Sequence, residues 1–244
     1  MAKKAIIQDA GRYRPIETAE DIADGDGNII NTVQEGEMSE YNNSDPMVIA
    51  IDGLLYGAPG LVAGSNLNGF TGVNSSTGAI TIFADAGLGQ VTVTSNGHGL
   101  SNDYMVTIDG TTNYDGRYSI TNIQTNTFEI THSWDGNDAT GNFWSGSKLI
   151  YDNGKPTLTF RVIGSLSIAP EFSEELFFWA IEKNGILQTR TASESDASDN
   201  VTVYIIPISG RIELQANDII ELVVQNVNDD HNMTIKHANI NLIV

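Results

Sequence analysis

The sequence predicts an all-β protein, and three observations carry that reading. Charged residues make up only 18% of the chain, below the roughly 25% usual for soluble domains. Asn, Thr, Ser and Gly supply the polarity instead, a mix that favours turns and strands over long helices. From Met47 onward, short runs place apolar residues at alternate positions, which puts one set of side chains on one face of a strand. Turn pairs at Asn96-Gly97, Asp109-Gly110, Asp115-Gly116 and Asp135-Gly136 separate those runs at the spacing of antiparallel strands. The 244 residues are enough for one large or two to three small domains and for a core that needs no staples.

Residues 1–46 hold scattered apolar residues without a period, and Asp24 to Asn28 and Asn42 to Pro46 read as loops. Thr18-Ala19-Glu20-Asp21 resembles a capping box, but Gly25 and Gly27 stop any helix within a few residues. The segment is expected to lack a core of its own. Fully stretched, it reaches roughly 150 Å. Asp24, Asp26 and Asn28 have the alternate-oxygen spacing of a calcium loop, with Glu35 in the twelfth place. Ile29 stands where such a loop needs a glycine and flanking helices are absent, so a solvated acidic loop is expected.

Residues 47–87 read as a β-rich connector and the first strands of the main domain: Met47 to Ile51, the turn at Asp52-Gly53, then Ala79 to Phe83. Residues 88–146 form a small all-β module, with strands at Val91-Thr-Val-Thr, Met105-Val-Thr-Ile, Tyr118-Ser-Ile-Thr and Thr127-Phe-Glu-Ile-Thr. Tyr114, Trp134 and Trp144 lie near its turns. They either cover the thin core or stack on sugar rings at the surface; the first reading is preferred.

Residues 147–244 are heavier in large apolar side chains. Leu158, Phe160 and Val162 alternate with Thr157, Thr159 and Arg161, as in a strand with one wet face. Leu176 to Ile181 departs from that pattern because both sets of positions are apolar, and Lys183-Asn184-Gly185-Ile186 then makes a hairpin turn. Residues after Val203 behave similarly. A two-sided apolar strand packs on another segment of its own chain or on a neighbouring subunit. We take the second option, which makes Phe177, Trp179, Ile181, Tyr204 and Ile206 an oligomer interface. The run Asn239-Ile-Asn-Leu-Ile-Val244, with three apolar residues at the terminus, predicts a final strand lying inside a sheet.

Charge and residue type exclude several classes of function. The net charge is −19, with 12 Lys and Arg against 31 Asp and Glu, and no third of the chain is net basic. Such a surface repels phosphate backbones and anionic bilayers, so neither nucleic acid nor membrane insertion is expected. The first residues lack the apolar core of a signal peptide, and no run approaches the ~20 residues of a membrane span. Cysteine is absent, which removes disulfides, thiolate metal sites and a cysteine nucleophile. No nucleophile elbow, phosphate loop or dinucleotide glycine pattern occurs, so no enzyme and no cofactor is expected. His231 and His237 on one strand would stand roughly 20 Å apart and cannot share an ion, whereas His98 reads as a turn residue. No metal site is predicted.

The wording of two stretches then points further. Val91-Thr-Val-Thr-Ser-Asn-Gly-His-Gly-Leu, Val106 to Tyr118 and Thr127-Phe-Glu-Ile-Thr resemble a small β module that recurs in structural proteins of tailed bacteriophages. Tyr204-Ile-Ile-Pro-Ile followed by Ala216-Asn-Asp-Ile-Ile-Glu-Leu-Val-Val-Gln-Asn resembles the jelly rolls of the tumour-necrosis-factor and complement-head type found in phage fibres. The resemblance implies a C-terminal jelly-roll sandwich with the small module inserted in it. It further implies a homotrimeric, non-enzymatic fibre or decoration protein on the virion surface, made in the host cytoplasm. On that view residues 1–46, with Arg12, Tyr13, Arg14 and Ile16, anchor it to a capsid or tail protein, an inference from position and the missing core alone. The alternatives are an adhesin that binds host-surface glycan through Tyr114, Trp134 and Trp144, and, less favoured, a polysaccharide depolymerase.

Overall fold

A computed structural model of the chain describes residues 6–9, 12–15, 34–44, 46–64, 67–102 and 104–244. All regular elements among them are strands, in keeping with the all-β expectation. β1 (Ile6–Asp9) and β2 (Arg12–Pro15) pair only with each other, antiparallel, so Arg12, Tyr13 and Arg14 sit on a short two-stranded ribbon. Ile16, the capping box at Thr18 and the Asp24–Asn28 loop lie outside the described residues.

The main body is a sandwich of two antiparallel sheets. One sheet contains β3 (Glu35–Tyr41), β5 (Val62–Ala63), β15 (Leu158–Pro170), β18 (Tyr204–Leu214) and β20 (Met233–Ile243), in the order β18-β15-β20-β3-β5. The other contains β6 (Phe70–Val73), β14 (Lys148–Tyr151), β16 (Glu175–Lys183), β17 (Ile186–Ala197) and β19 (Ile219–Asn226), ordered β17-β16-β19-β14-β6, with β4 (Tyr56–Gly57) also on β19. The alternation read along β15 is realised: Phe160, Val162, Leu166 and Ile168 point into the core. β20 lies between β15 and β3, so the closing strand is internal. Asn184 and Gly185 take φ of 49° and 77° and close the β16–β17 hairpin, a left-handed pair that Asn-Gly adopts at little cost.

The inserted module is a single seven-stranded sheet. Its strands β7 (Ser76–Ala79), β8 (Ile82–Gly87), β9 (Gln90–Thr94), β10 (Met105–Asp109), β11 (Gly116–Thr121), β12 (Thr127–Thr131) and β13 (Asn142–Ser145) run in the order β7-β13-β10-β11-β12-β9-β8. It has its own core, which includes Phe83, Val91, Val93, Ile108, Tyr114, Phe128 and Phe143. The module leaves the sandwich after β6 and returns at β14, and those two strands pair with each other from Val73↔Lys148 to Phe70↔Tyr151. It is thus a loop between neighbouring strands, expanded into a domain.

Three expectations change at this level. Residues 35–41 were expected in a segment without a core, yet β3 pairs along β20 and buries Met38 completely. The single apolar residue in a run of Glu, Gly and Ser hid the strand. Residues 79–83 were expected in the main domain, but Ile80 and Phe83 pack into the module core. Phe177, Trp179 and Ile181 were expected to face sister subunits. They lie fully buried in the sandwich core of their own chain, and Ile206 joins them there. They occupy alternate positions on the inner face of β16, while on its outer face Leu176 and Phe178 are half-buried and the module covers Glu182. Tyr204 packs against the same core, half-buried, and its hydroxyl accepts the Asp199 N–H at 2.9 Å.

Candidate functional site

Where module meets sandwich, four charged side chains leave water together. Glu182 of β16 and Glu221 of β19 are register partners across the sheet, a like-charge pair that needs compensation. Arg117 of β11 supplies it. Its Nη2 donates to Glu221 Oε2 at 2.9 Å and to Glu182, and its Nε donates to Glu182 Oε2 at 3.1 Å. Nη1 donates to Thr107 Oγ1 at 3.2 Å, whose hydroxyl in turn donates to the Leu55 carbonyl at 2.7 Å. Lys148 Nζ stands 3.6 Å from Glu221 Oε1 and 4.8 Å from the centre of the Tyr104 ring, and donates to the Gly146 carbonyl at 2.7 Å. Burial pulls the Lys148 ammonium below its usual range, with Glu221 opposing that shift. Two cations therefore face two carboxylates, and Glu221 Oε1 also accepts the Gly146 N–H at 2.7 Å. Glycine makes the approach feasible: a Cβ on Gly57 would lie 1.8 Å from Glu221 Oε1 and 2.6 Å from the Gly146 nitrogen.

A second contact between the two parts holds Asp109 of β10, only 2% exposed. Burial pushes its carboxyl up to about 6, while the Trp144 indole and the Tyr56 hydroxyl pull the other way. Burial, with Asp109 beside it, also raises the Tyr56 hydroxyl. Trp144 is half-buried against the sandwich core.

On the module's outer end, Tyr114 is fully buried and stacks on Phe83 with ring centroids 4.3 Å apart. Its hydroxyl donates to the Gly136 carbonyl at 2.6 Å and accepts the Asp135 N–H at 3.1 Å. The loop so pinned presents Trp134, 38% exposed and stacked over Tyr114 at 6.4 Å. Of the three aromatics weighed as glycan contacts, Tyr114 is thus core, Trp144 lines the junction, and Trp134 stands at the surface. His98 is buried, accepts the Leu100 N–H at Nδ1 and meets the Thr127 carbonyl at Nε2, 3.2 Å away, as a turn residue should.

A third cluster lies at one end of the sandwich. His231 Nδ1 is 2.5 Å from Glu175 Oε1 and 3.5 Å from Asp229 Oδ2. Glu175 is 2% exposed, and its Oε2 accepts from Asn226 Nδ2 at 2.6 Å. The Phe172 ring stacks on the imidazole, centroids 4.0 Å apart. Beside them a cleft of about 270 Å³ is lined by Ala50, Ile51, Asp52, Asn228, Asp229 and Asp230. Glu175 lies 56 positions from His231 and carries no signal in the sequence; the β16–β19 pairing brings the two together. His237 is elsewhere, stacked on Tyr41.

No protein-family model and no curated protein matches the chain. Among solved structures it is similar to the insecticidal delta-endotoxin Cry8Ea1 of Bacillus thuringiensis, at 8% identity and a TM-score of 0.25, over 87% of this chain and 53% of that one. The chain spans about half the length of that toxin, and so loose a superposition bears on neither activity nor partners.

Proposed function

We propose that the chain is a non-enzymatic structural protein of a bacteriophage particle, a fibre or decoration protein that displays its β domains on the virion surface. The wording of the module and of residues 204–226 supports this reading, as does the sandwich with an inserted module. The observation that carries it is the junction at Arg117: a buried four-charge cluster holds the module in one orientation, as a projecting part under load requires. Trimeric assembly rests on the likeness to trimeric heads alone, since the Phe177 ribbon is core. Attachment to a capsid or tail protein is assigned to residues 1–33, ahead of the first sandwich strand. Imaging of the particle that carries the chain tests the proposal. Density for the sandwich and module on head or tail supports it, and a particle lacking the chain overturns it. Light scattering on the purified chain tests the trimer, which a monodisperse monomer at micromolar concentration excludes.

A second reading, glycan binding, draws on the exposed Trp134 stacked on a fixed Tyr114 base. An indole face held by its own loop offers an apolar platform to a sugar ring.

A further inference from the structure

We propose that Glu175, Asp229 and His231 bind one divalent first-row transition-metal ion. One ligand atom from each lies within 4.8 Å of the others, and all three face a single point at the end of the sandwich. The proposal is independent of the virion reading and of the Trp134 patch.

A plain ion pair accounts poorly for the arrangement. The Nδ1 atom has one proton to donate, yet both Glu175 Oε1 and Asp229 Oδ2 converge on it. Asp230 and Asp52 add carboxylates along the adjoining cleft, so even a charged imidazole leaves the corner net negative. Glu175 has also been removed from water, and a buried carboxylate demands a compensating charge. Among the described ion pairs its one cationic partner is the His231 imidazole, which it shares with Asp229. A divalent cation would supply that charge.

The surroundings are those of a held ligand set. Asn226, itself fully buried, orients Glu175 through its Nδ2–Oε2 bond, and Phe172 fixes the plane of the imidazole. Mutating partners that orient ligands in this way typically weakens metal affinity roughly 10- to 100-fold. Asp229 and His231 lie on the loop between β19 and β20, with side chains 44% and 32% exposed, so they can open around an ion while Glu175 stays in place. One imidazole nitrogen with two carboxylate oxygens is a mixed set that suits zinc, cobalt, nickel or manganese better than calcium. Three protein ligands leave positions open toward the cleft for water.

The test is calorimetric titration of the full chain, stripped with chelator, using Zn²⁺ and separately Ca²⁺, with Co²⁺ absorption as a second readout. The expected result is one Zn²⁺ per chain, a visible Co²⁺ band, and affinity weakened about 10- to 100-fold or more in His231→Asn. His237→Asn should bind like the parent. Asp229→Asn, at an exposed position, provides a second variant if His231→Asn is misfolded by circular dichroism. Absence of stoichiometric Zn²⁺ binding, or Zn²⁺ binding unaltered in both variants, overturns the proposal. So does Ca²⁺ binding of equal strength that neither variant changes, which would mark general attraction to an acidic surface.

Discussion

Arg117 Nη2 lies 2.9 Å from Glu221 Oε2 across 104 positions of sequence, and this bond joins the module to the sandwich. Removing the cation leaves two register-paired carboxylates buried with Lys148 alone. Arg117→Met should therefore cost about 3–5 kcal/mol, read as a lower urea midpoint. Adding Glu182→Gln should restore part of that loss, because one of the stranded charges is then gone. A single variant within 1 kcal/mol of the parent, on the same scale, would show that the cluster does not hold the parts together.

Trp179 is fully enclosed by its own chain, so its truncation opens a cavity rather than an interface. Trp179→Ala should destabilise the fold by about 3–5 kcal/mol. The loss should be independent of protein concentration. A melting temperature of the variant that rises with concentration would instead place the ribbon between subunits.

Asp109 gives the protein a pH dependence of defined sign. Its carboxyl, held up to about 6 in the folded chain against 3.8 ordinarily, binds a proton more tightly folded than unfolded. The stability this supplies is present below about pH 4 and is lost as pH rises through 6, amounting to at most about 3 kcal/mol. Urea midpoints between pH 4 and 8 should fall across that window. In Asp109→Asn the slope there should flatten, and stability at pH 8 should rise by about 1–2 kcal/mol.

Tyr114 and Trp134 separate support from surface. Tyr114→Phe deletes two hydrogen bonds of a buried hydroxyl and should cost about 1–2 kcal/mol without altering glycan-array signals. Trp134→Ala should leave stability nearly unchanged and abolish any such signal. Array binding that persists in Trp134→Ala removes the adhesin reading.

Strand-forming texture was legible where apolar residues alternate over several positions, as along β15 and through the module at Val91, Val106 and Phe128. It failed at β3, where Met38 is the one buried hydrophobic side chain, among Glu, Gly, Ser and an exposed Tyr41, because pairing to β20 rather than local pattern makes that strand. The two-sided character of Leu176 to Ile181 was read correctly and explained wrongly: Phe177, Trp179 and Ile181 line the core of their own sandwich, and Leu176 and Phe178 on the other face are half-buried within the same chain. The charged clusters were invisible for a related reason. Arg117, Glu182 and Glu221, like Glu175 and His231, become neighbours only through pairings between distant strands, and no spacing along the sequence encodes them.

The placement of β3 against β20 also governs the order of assembly. Glu37 and Asn239, bonded across that ladder, are 202 residues apart. At ordinary translation speeds the earlier strand waits on the order of 10–40 s for its mate to be synthesised. Throughout that interval one sheet of the nascent protein has a vacant lane beside β3. The glutamates at positions 35, 37 and 40 line that open edge with like charge, one of the devices by which sheet edges are kept from pairing with other copies.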